Sequence, residues 1–272
     1  MDDVNDTRTK IPAGAALVDL HLHLLPGVDD GPPDEPAALA HAARLAADGV
    51  HEAVVTPHVG HPGFPVDVAS IPERTAELQA ALDAAGLPLR LHPGGEVHLH
   101  GALHAPAREL RAVAQGPPGA RWLLVEAPFA GIGDALLDAC RRVRSLGLGV
   151  LVAHPERAAG FARGGLAALR DELAAGAVLQ VSVDSLLGRH GLEAQAAAHR
   201  LVRARLAYVM ASDGHGGHRC DTMRDGWRAL RRAGVPEAQA WGLARANPAF
   251  LLAHGLRTGA AAALAPAAAA RL

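Results

Sequence analysis

The sequence predicts a parallel α/β fold closed into a barrel, and three observations lead there. Seven apolar runs alternate with helical stretches, mostly through short connections, the pattern of a parallel sheet wound by right-handed crossovers. The runs are near-continuously apolar, as expected of strands covered on both faces. No Gly-x-Gly-x-x-Gly follows the first run, so an open dinucleotide-binding sheet lacks its fingerprint.

Residues 16–23 read as strand one. Asp34 caps a helix running to about Asp48, with Gly49 as its stop. Strand two is Val50 to Thr56, ending in Pro57-His58. Ser70-Ile71-Pro72-Glu73 reads as a capping box opening a helix that stops at Gly86. Strand three, Leu89 to Leu91, runs into Pro93-Gly94-Gly95-Glu96, and a weaker helix covers about His104 to Ala114. Strand four, Trp122 to Val125, ends in Glu126, and a helix follows from about Gly133 to Leu146. Strand five, Gly149 to Ala153, ends in His154-Pro155-Glu156-Arg157. A helix to about Ala175 precedes strand six, Ala177 to Val183, and His190 to Ala204 is helical. Strand seven, Ala207 to Ala211, ends in Ser212-Asp213-Gly214-His215, and helices at about 221–233 and 236–254 close the pattern. No linker or internal repeat divides it. The expected organisation is a flexible segment at 1–15, one domain at 16–256 and an Ala-rich tail at 257–272.

Composition narrows the function. The chain has 272 residues, half of them hydrophobic, enough for one large core. A net charge of -2 gives no basic field to hold nucleic acid by its phosphates. The first ten residues lack the apolar core of a secretory signal, and no run reaches the ~18 apolar residues of a membrane span. Two cysteines, Cys140 and Cys220, fall short of a disulfide framework and fit a reducing compartment. These features predict a cytoplasmic protein without membrane insertion. Neither cysteine begins a Cys-x5-Arg phosphate loop, because Leu146 and Gly226 occupy the arginine position. Histidine is the outlier, at sixteen residues.

Val18-Asp19-Leu20-His21-Leu22-His23 organises the rest. Side chains two apart on a strand share a face, so His21 and His23 can aim at one point. Pro26-Gly27 then turns the chain and delivers Asp29 and Asp30 from a loop. The other strand ends carry the same chemistry: His58, Glu96, Glu126, His154, Asp213 and His215. In a parallel barrel these ends lie on one face, where active sites gather. Each residue alone has an ordinary explanation as a loop histidine, a solvated acid or a helix cap. Together they would crowd carboxylates that repel one another unless cations intervene.

The donor set is imidazole and carboxylate without thiolate, which favours Mn, Fe, Co or Zn over a structural zinc. Nine ligands exceed one ion. Two or three ions about 3.5–4 Å apart suit in-line displacement at phosphorus, with a bridging hydroxide as nucleophile. Arg157 and Arg219 follow ligands closely and match a phosphate in a bidentate fork; pairing with Glu156 and Asp221 is the ordinary alternative.

The order His21-x-His23, Asp29-Asp30-Gly31, Thr56-Pro57-His58, Gly95-Glu96, Glu126, Ala153-His154-Pro155-Glu156-Arg157 and Ser212-Asp213-x-His215 resembles the PHP (polymerase and histidinol phosphatase) family. More narrowly it resembles the bacterial tyrosine phosphatases of capsule and exopolysaccharide systems, on Leu25-Pro26-Gly27-Val28-Asp29-Asp30-Gly31 and the His154 segment. The resemblance implies a distorted, TIM-barrel-like (β/α)7 barrel with a trinuclear site. It implies two or three divalent ions, manganese first, with Fe, Co, Zn or Mg as alternatives. It also implies hydrolysis of phosphotyrosine on a partner tyrosine autokinase. His21, His23, Glu96 and Asp213 would hold one metal. Glu96 would bridge to a second, held also by Glu126 and His154, and Asp30, His58 and His215 would hold the third. Arg157 and Arg219 would bind phosphate, beside Asp213 at the catalytic centre. The segment His215-Gly216-Gly217-His218-Arg219-Cys220 departs from the family, being shorter and lacking an Arg-Pro-Pro.

Other chemistries compete. A small-molecule phosphomonoesterase of the same fold, taking a substrate like histidinol phosphate, would differ only in its pocket. An amidohydrolase-type metal hydrolase also opens with His-x-His, but commonly bridges metals with a lysine, and the only lysine here is Lys10. A metal-bearing scaffold without turnover is the remaining alternative.

Overall fold

In the computed structural model, residues 16–217 and 223–258 are described. The predicted segment 1–15, Arg219 and nearly all of the Ala-rich tail lie outside the described residues.

Among the described residues, nine β-segments arise from the seven predicted strands because two strands bend. Strand two runs beside β1 (Leu17–Leu22) as β2 (Val50–Val55), turns at Thr56-Pro57, and continues as β3 (His58–Val59). Strand three runs as β4 (Arg90–Pro93), turns at Gly94-Gly95, and continues as β5 (Glu96–Val97). The remaining strands are β1 (Leu17–Leu22), β6 (Trp122–Glu126), β7 (Gly149–Ala153), β8 (Val178–Ser182) and β9 (Ala207–Ala211). One sheet has the order β1-β2-β4 and the other β3-β5-β6-β7-β8-β9, every pair parallel.

The bent strands belong to both sheets, and a parallel bridge from Leu22 to Gly214 joins the outer edges. The Asp213 N–H donates to the His21 carbonyl at 3.0 Å, and the His23 N–H to the Gly214 carbonyl at 2.9 Å. These contacts close a distorted parallel barrel. Glycine is required at the second bend. A Cβ on Gly94 would lie 2.5 Å from the Val54 side chain, and one on Gly95 would lie 2.7 Å from Val59.

The helix Glu35–Asp48 forms as its ends predict. Asp34 accepts from the Ala37 N–H at 2.9 Å, and Gly49 ends it at φ 95°. Its buried residues include Ala38, His41, Ala42 and Leu45, one stripe at helical spacing.

Four helix predictions need correction. Ser70 makes no side-chain cap for Ile71–Ala84; Asp67 takes the Ala69 N–H and caps a preceding 3-10 turn instead. The stretch 104–114 is two short helices, Leu99–His104 and Ala107–Ala112, because Pro106 cannot continue the first. The stretch before Ala175 splits into short pieces, with Gly160 at φ 68° and Gly164 outside helical dihedrals. The last predicted helix is likewise split, into Glu237–Trp241 and Asn247–His254 with a wider turn between.

Two apolar clusters hold the barrel. The larger one packs strands against helices around Leu45, Leu82, Leu123, Val152 and Trp227. The smaller joins Leu20, Val54, Trp122, Leu124, Leu151 and Val209 to Leu251. On β6, Trp122, Leu124 and Glu126 share one face, so apolar packing gives way to an acid at the carboxyl end of the strand.

Candidate metal centre

The strand ends deliver their side chains to one place, as the sequence predicts. A cleft of about 210 Å³ is lined by Asp30, His58, Glu96, Glu126, His154, Arg157, Asp213 and His215. His21 and His23 lie fully buried beneath it. Glu96 is the centre. Its carboxylate lies 3.4 Å from His21 Nε2, 3.4 Å from His23 Nε2, 3.1 Å from His58 Nδ1 and 2.8 Å from His154 Nε2. Asp213 Oδ1 lies 3.3 Å from His21 Nε2 and 3.6 Å from His23 Nε2. Asp30 Oδ1 lies 3.4 Å from His58 Nε2 and 3.2 Å from His215 Nε2.

Backbone strain marks the same place. Only three non-glycine residues among the described ones have positive φ, and two are His154 (33°) and Asp213 (54°). Such conformations persist where surrounding contacts hold them, commonly at functional sites.

Partners behind the imidazoles fix which nitrogen faces the cleft. His21 Nδ1 meets Gln180 Oε1 at 3.1 Å, His23 Nδ1 meets Asp29 Oδ2 at 2.7 Å, and His215 Nδ1 meets the Asp213 carbonyl at 2.8 Å. A nitrogen facing an acceptor carries the proton, so each neutral ring turns its Nε2 lone pair inward. The Nε2 atoms of His21 and His23 consequently face each other at 3.3 Å. Asp29 also accepts the N–H groups of His58 and Gly31, so it organises the site and does not face the shared point.

Electrostatics follow from this crowding. Burial opposes ionisation of Glu96, but when the facing imidazoles are protonated the charge of His21 and hydrogen bonds from His154, His21 and His23 hold it well below the usual range. Burial and then the Glu96 charge push Glu126 up to about 7. Burial would lower the His58 imidazole, but Asp30 and Glu96 outweigh it and raise it to about 9. His154 is lowered, chiefly by burial.

The residues fit divalent metal on their own geometry. In the neutral rings the two Nε2 lone pairs 3.3 Å apart repel each other, and a cation between them relieves that. Ligand-atom separations of 3.3–3.6 Å are those that metal–ligand bonds of about 2.1 Å make at tetrahedral angles. Glu126 Oε2 and His154 Nδ1 are buried without hydrogen-bond partners, which costs free energy unless something else satisfies them. Among the described residues, four groups could each hold an ion: His23, Asp30, His58 and His215; His21, His23 and Glu96; His21, His154 and Asp213; and His58, Glu96 and Glu126. All nine predicted ligands occur in them. His154 groups with Asp213, and His58 with Glu126, where the resemblance implies His154 beside Glu126.

Arg157 donates to Asp213 Oδ2 at 2.6 Å and not to Glu156, whose Oε1 takes the Ser182 N–H. Sequence reasoning missed His61, Phe64 and Phe129, which also line the cleft, and Gln180 behind His21. The first three lie in loops past strand ends, without spacing to mark them. Gln180 sits on a strand face among apolar residues, where a lone polar residue is the available signal.

A parallel barrel whose mouth gathers imidazoles and carboxylates around shared points is of the metal-hydrolase class. Residues 17–253 match the capsular polysaccharide synthesis family, CpsB/CapC, and the chain belongs to it. It is 27% identical over 199 residues to the tyrosine-protein phosphatase YwqE of Bacillus subtilis (strain 168), covering 73% of this chain and 77% of that one. The solved structures of YwqE from Bacillus subtilis and CpsB from Streptococcus pneumoniae, described as metal-dependent tyrosine phosphatases, include a chain matching with TM-score 0.75. That match has 25% identity over 89% of this chain and 97% of the other. Organophosphorus hydrolase from Deinococcus radiodurans shares the fold alone, with TM-score 0.50 and 19% identity over 90% of this chain and 95% of that one.

Proposed function

We propose that the chain is a metal-dependent protein-tyrosine phosphatase of a capsule or exopolysaccharide system, acting in the cytoplasm on the phosphotyrosines of a tyrosine autokinase. The observation that carries this reading is the Glu96 carboxylate set among four imidazoles at 2.8–3.4 Å. The activity of its relatives supports the substrate class.

The nine ligands His21, His23, Asp30, His58, Glu96, Glu126, His154, Asp213 and His215 would hold two or three divalent ions, manganese first. Bound cations would neutralise the phosphoryl oxygens and make attacking water acidic enough to ionise near neutral pH. The residues of the chain do the positioning. Asp29, Gln180 and the Asp213 carbonyl hold three imidazoles in one tautomer. Arg157 is held by Asp213 through one amino group, leaving its other donors for phosphate oxygens. Arg219 is proposed as the second phosphate-binding arginine. Burial of His21 and His23 keeps bulk water from their inner side. The tyrosyl phenolate, with a pKa of about 10, departs without the strong protonation an alkoxide requires.

The test is turnover of a phosphotyrosyl peptide beside small alkyl phosphomonoesters, before and after metal stripping. The reading predicts hydrolysis that favours the peptide, stops on chelation and returns with Mn²⁺. A clear preference for the small alkyl ester contradicts it.

A further inference from the structure

Aromatic residues are scarce in this chain, at 3% of the sequence with four phenylalanines. Two of those four line the same cleft as the histidines and acids. Phe129 is 51% exposed, and with Phe64 it gives a cleft otherwise lined by charged and imidazole side chains its apolar surface. Its backbone is fixed all the same, because the Phe129 carbonyl accepts the Ala159 N–H at 2.9 Å. The ring stacks on His154 with centroids 6.0 Å apart and planes 20° apart. The Arg157 guanidinium lies 4.6 Å from its centroid. Phe64 stacks on His58 at 4.9 Å with planes 6° apart. Of the four imidazoles around Glu96, His154 approaches one carboxylate oxygen and His58 the other. Each of these two rings is therefore backed by one phenylalanine.

We propose that Phe129 is the specificity-determining wall that receives the aryl group of the substrate, with Phe64 as the second apolar wall of the cleft. Phosphate bound at Arg157, 4.6 Å from the ring centroid, would place the ester oxygen beside the exposed part of Phe129. A phenyl group attached there gains offset or edge contact and covers apolar surface that is otherwise wet. An alkyl group offers less area and no ring. The Arg157 guanidinium over Phe129 adds a cation–π contact that keeps the phosphate-binding fork and the wall in register. The inference rests on the phosphatase reading for its substrate, and names the residue that separates aryl from alkyl esters.

The test uses non-hydrolysable probes, so that it does not depend on turnover. Binding of phenylphosphonate and methylphosphonate to the Mn²⁺-loaded full-length protein is measured by calorimetry for wild type, Phe129→Ala and Phe129→Tyr. Wild type should favour the phenyl compound, and Phe129→Ala should cut that ratio about tenfold, the order of one aromatic contact plus its burial. Phe129→Tyr should keep it. The same collapse should appear in KM for phenyl phosphate and leave kcat less affected. Equal binding of both phosphonates by wild type overturns the proposal, as does an unchanged ratio in Phe129→Ala. A wild-type phenyl preference lost in Phe129→Ala, in a protein that hydrolyses no phosphotyrosine, upholds the aromatic wall and removes the proposed activity instead.

Discussion

The amino-terminal and carboxyl-terminal halves of the same strands are built on opposite principles. On β6 the shared face runs Trp122, Leu124, Glu126, and on β8 it runs Val178, Gln180, Ser182. The early positions belong to a dry apolar cluster. The late ones carry buried polar atoms without hydrogen-bond partners, including Glu126 Oε2, Gln180 Nε2 and Ser182 Oγ. Dry packing stabilises wherever it occurs, whereas unpartnered polar atoms destabilise until a ligand satisfies them. The barrel therefore carries strain at this end, next to His154 and Asp213, two of the three described non-glycine residues of positive φ.

Substitutions at the two ends should separate function from stability. The largest effect is expected for Glu96→Gln. Altering residues behind a metal ligand typically costs about 10–100-fold, and Glu96 stands at the shared centre. Phosphotyrosine turnover should fall by more than about 100-fold, with bound metal lost in elemental analysis. Unaltered metal content would show that Glu96 is not a ligand.

Next is Leu124→Ala, in the dry half. Leu124 is almost fully buried, so thermal or urea unfolding should show a loss of about 2–5 kcal/mol. Metal bound per folded chain should stay as in wild type. A large loss of metal in the folded variant would mean that the two halves are not separable.

The smallest effect concerns Glu156, which sits just past the mouth. Burial raises its carboxyl to about 7, against opposing hydrogen bonds led by the Ser182 N–H. The folded state thus holds this proton more tightly than the unfolded chain does, so stability falls as pH climbs from the ordinary carboxyl range toward about 7. Glu156→Gln keeps an acceptor for Ser182 and removes the ionisation. Its melting temperature should gain on wild type at pH 8 and lose that gain near pH 4.5. A gain independent of pH would assign the effect to packing.

Much of this division is legible in the residues. Strand periodicity puts His21 and His23 on one face, and the parallel rule sends every strand end to the same rim. Asp34 and Gly49 bound their helix as written because both act within one turn of it. Less legible are the features that depend on distant neighbours. The bends at Pro57 and Gly94-Gly95 make β3 and β5, and the second involves close approaches of Gly94 to Val54 and of Gly95 to Val59 that spacing does not reveal. Ser70 looks like a cap until Asp67 forms an earlier turn. Gln180 meets His21 from 159 positions away, and Phe129 carries no pattern at all.

The central claim is that the mouth is completed by metal and that metal turns the chemistry on. The most direct measurement counts metal per chain by elemental analysis while phosphotyrosine turnover is followed on the same sample, through chelation and stepwise return of Mn²⁺. The account predicts activity that rises with occupancy and saturates at two or three ions per chain. Full turnover by protein stripped of metal would contradict it.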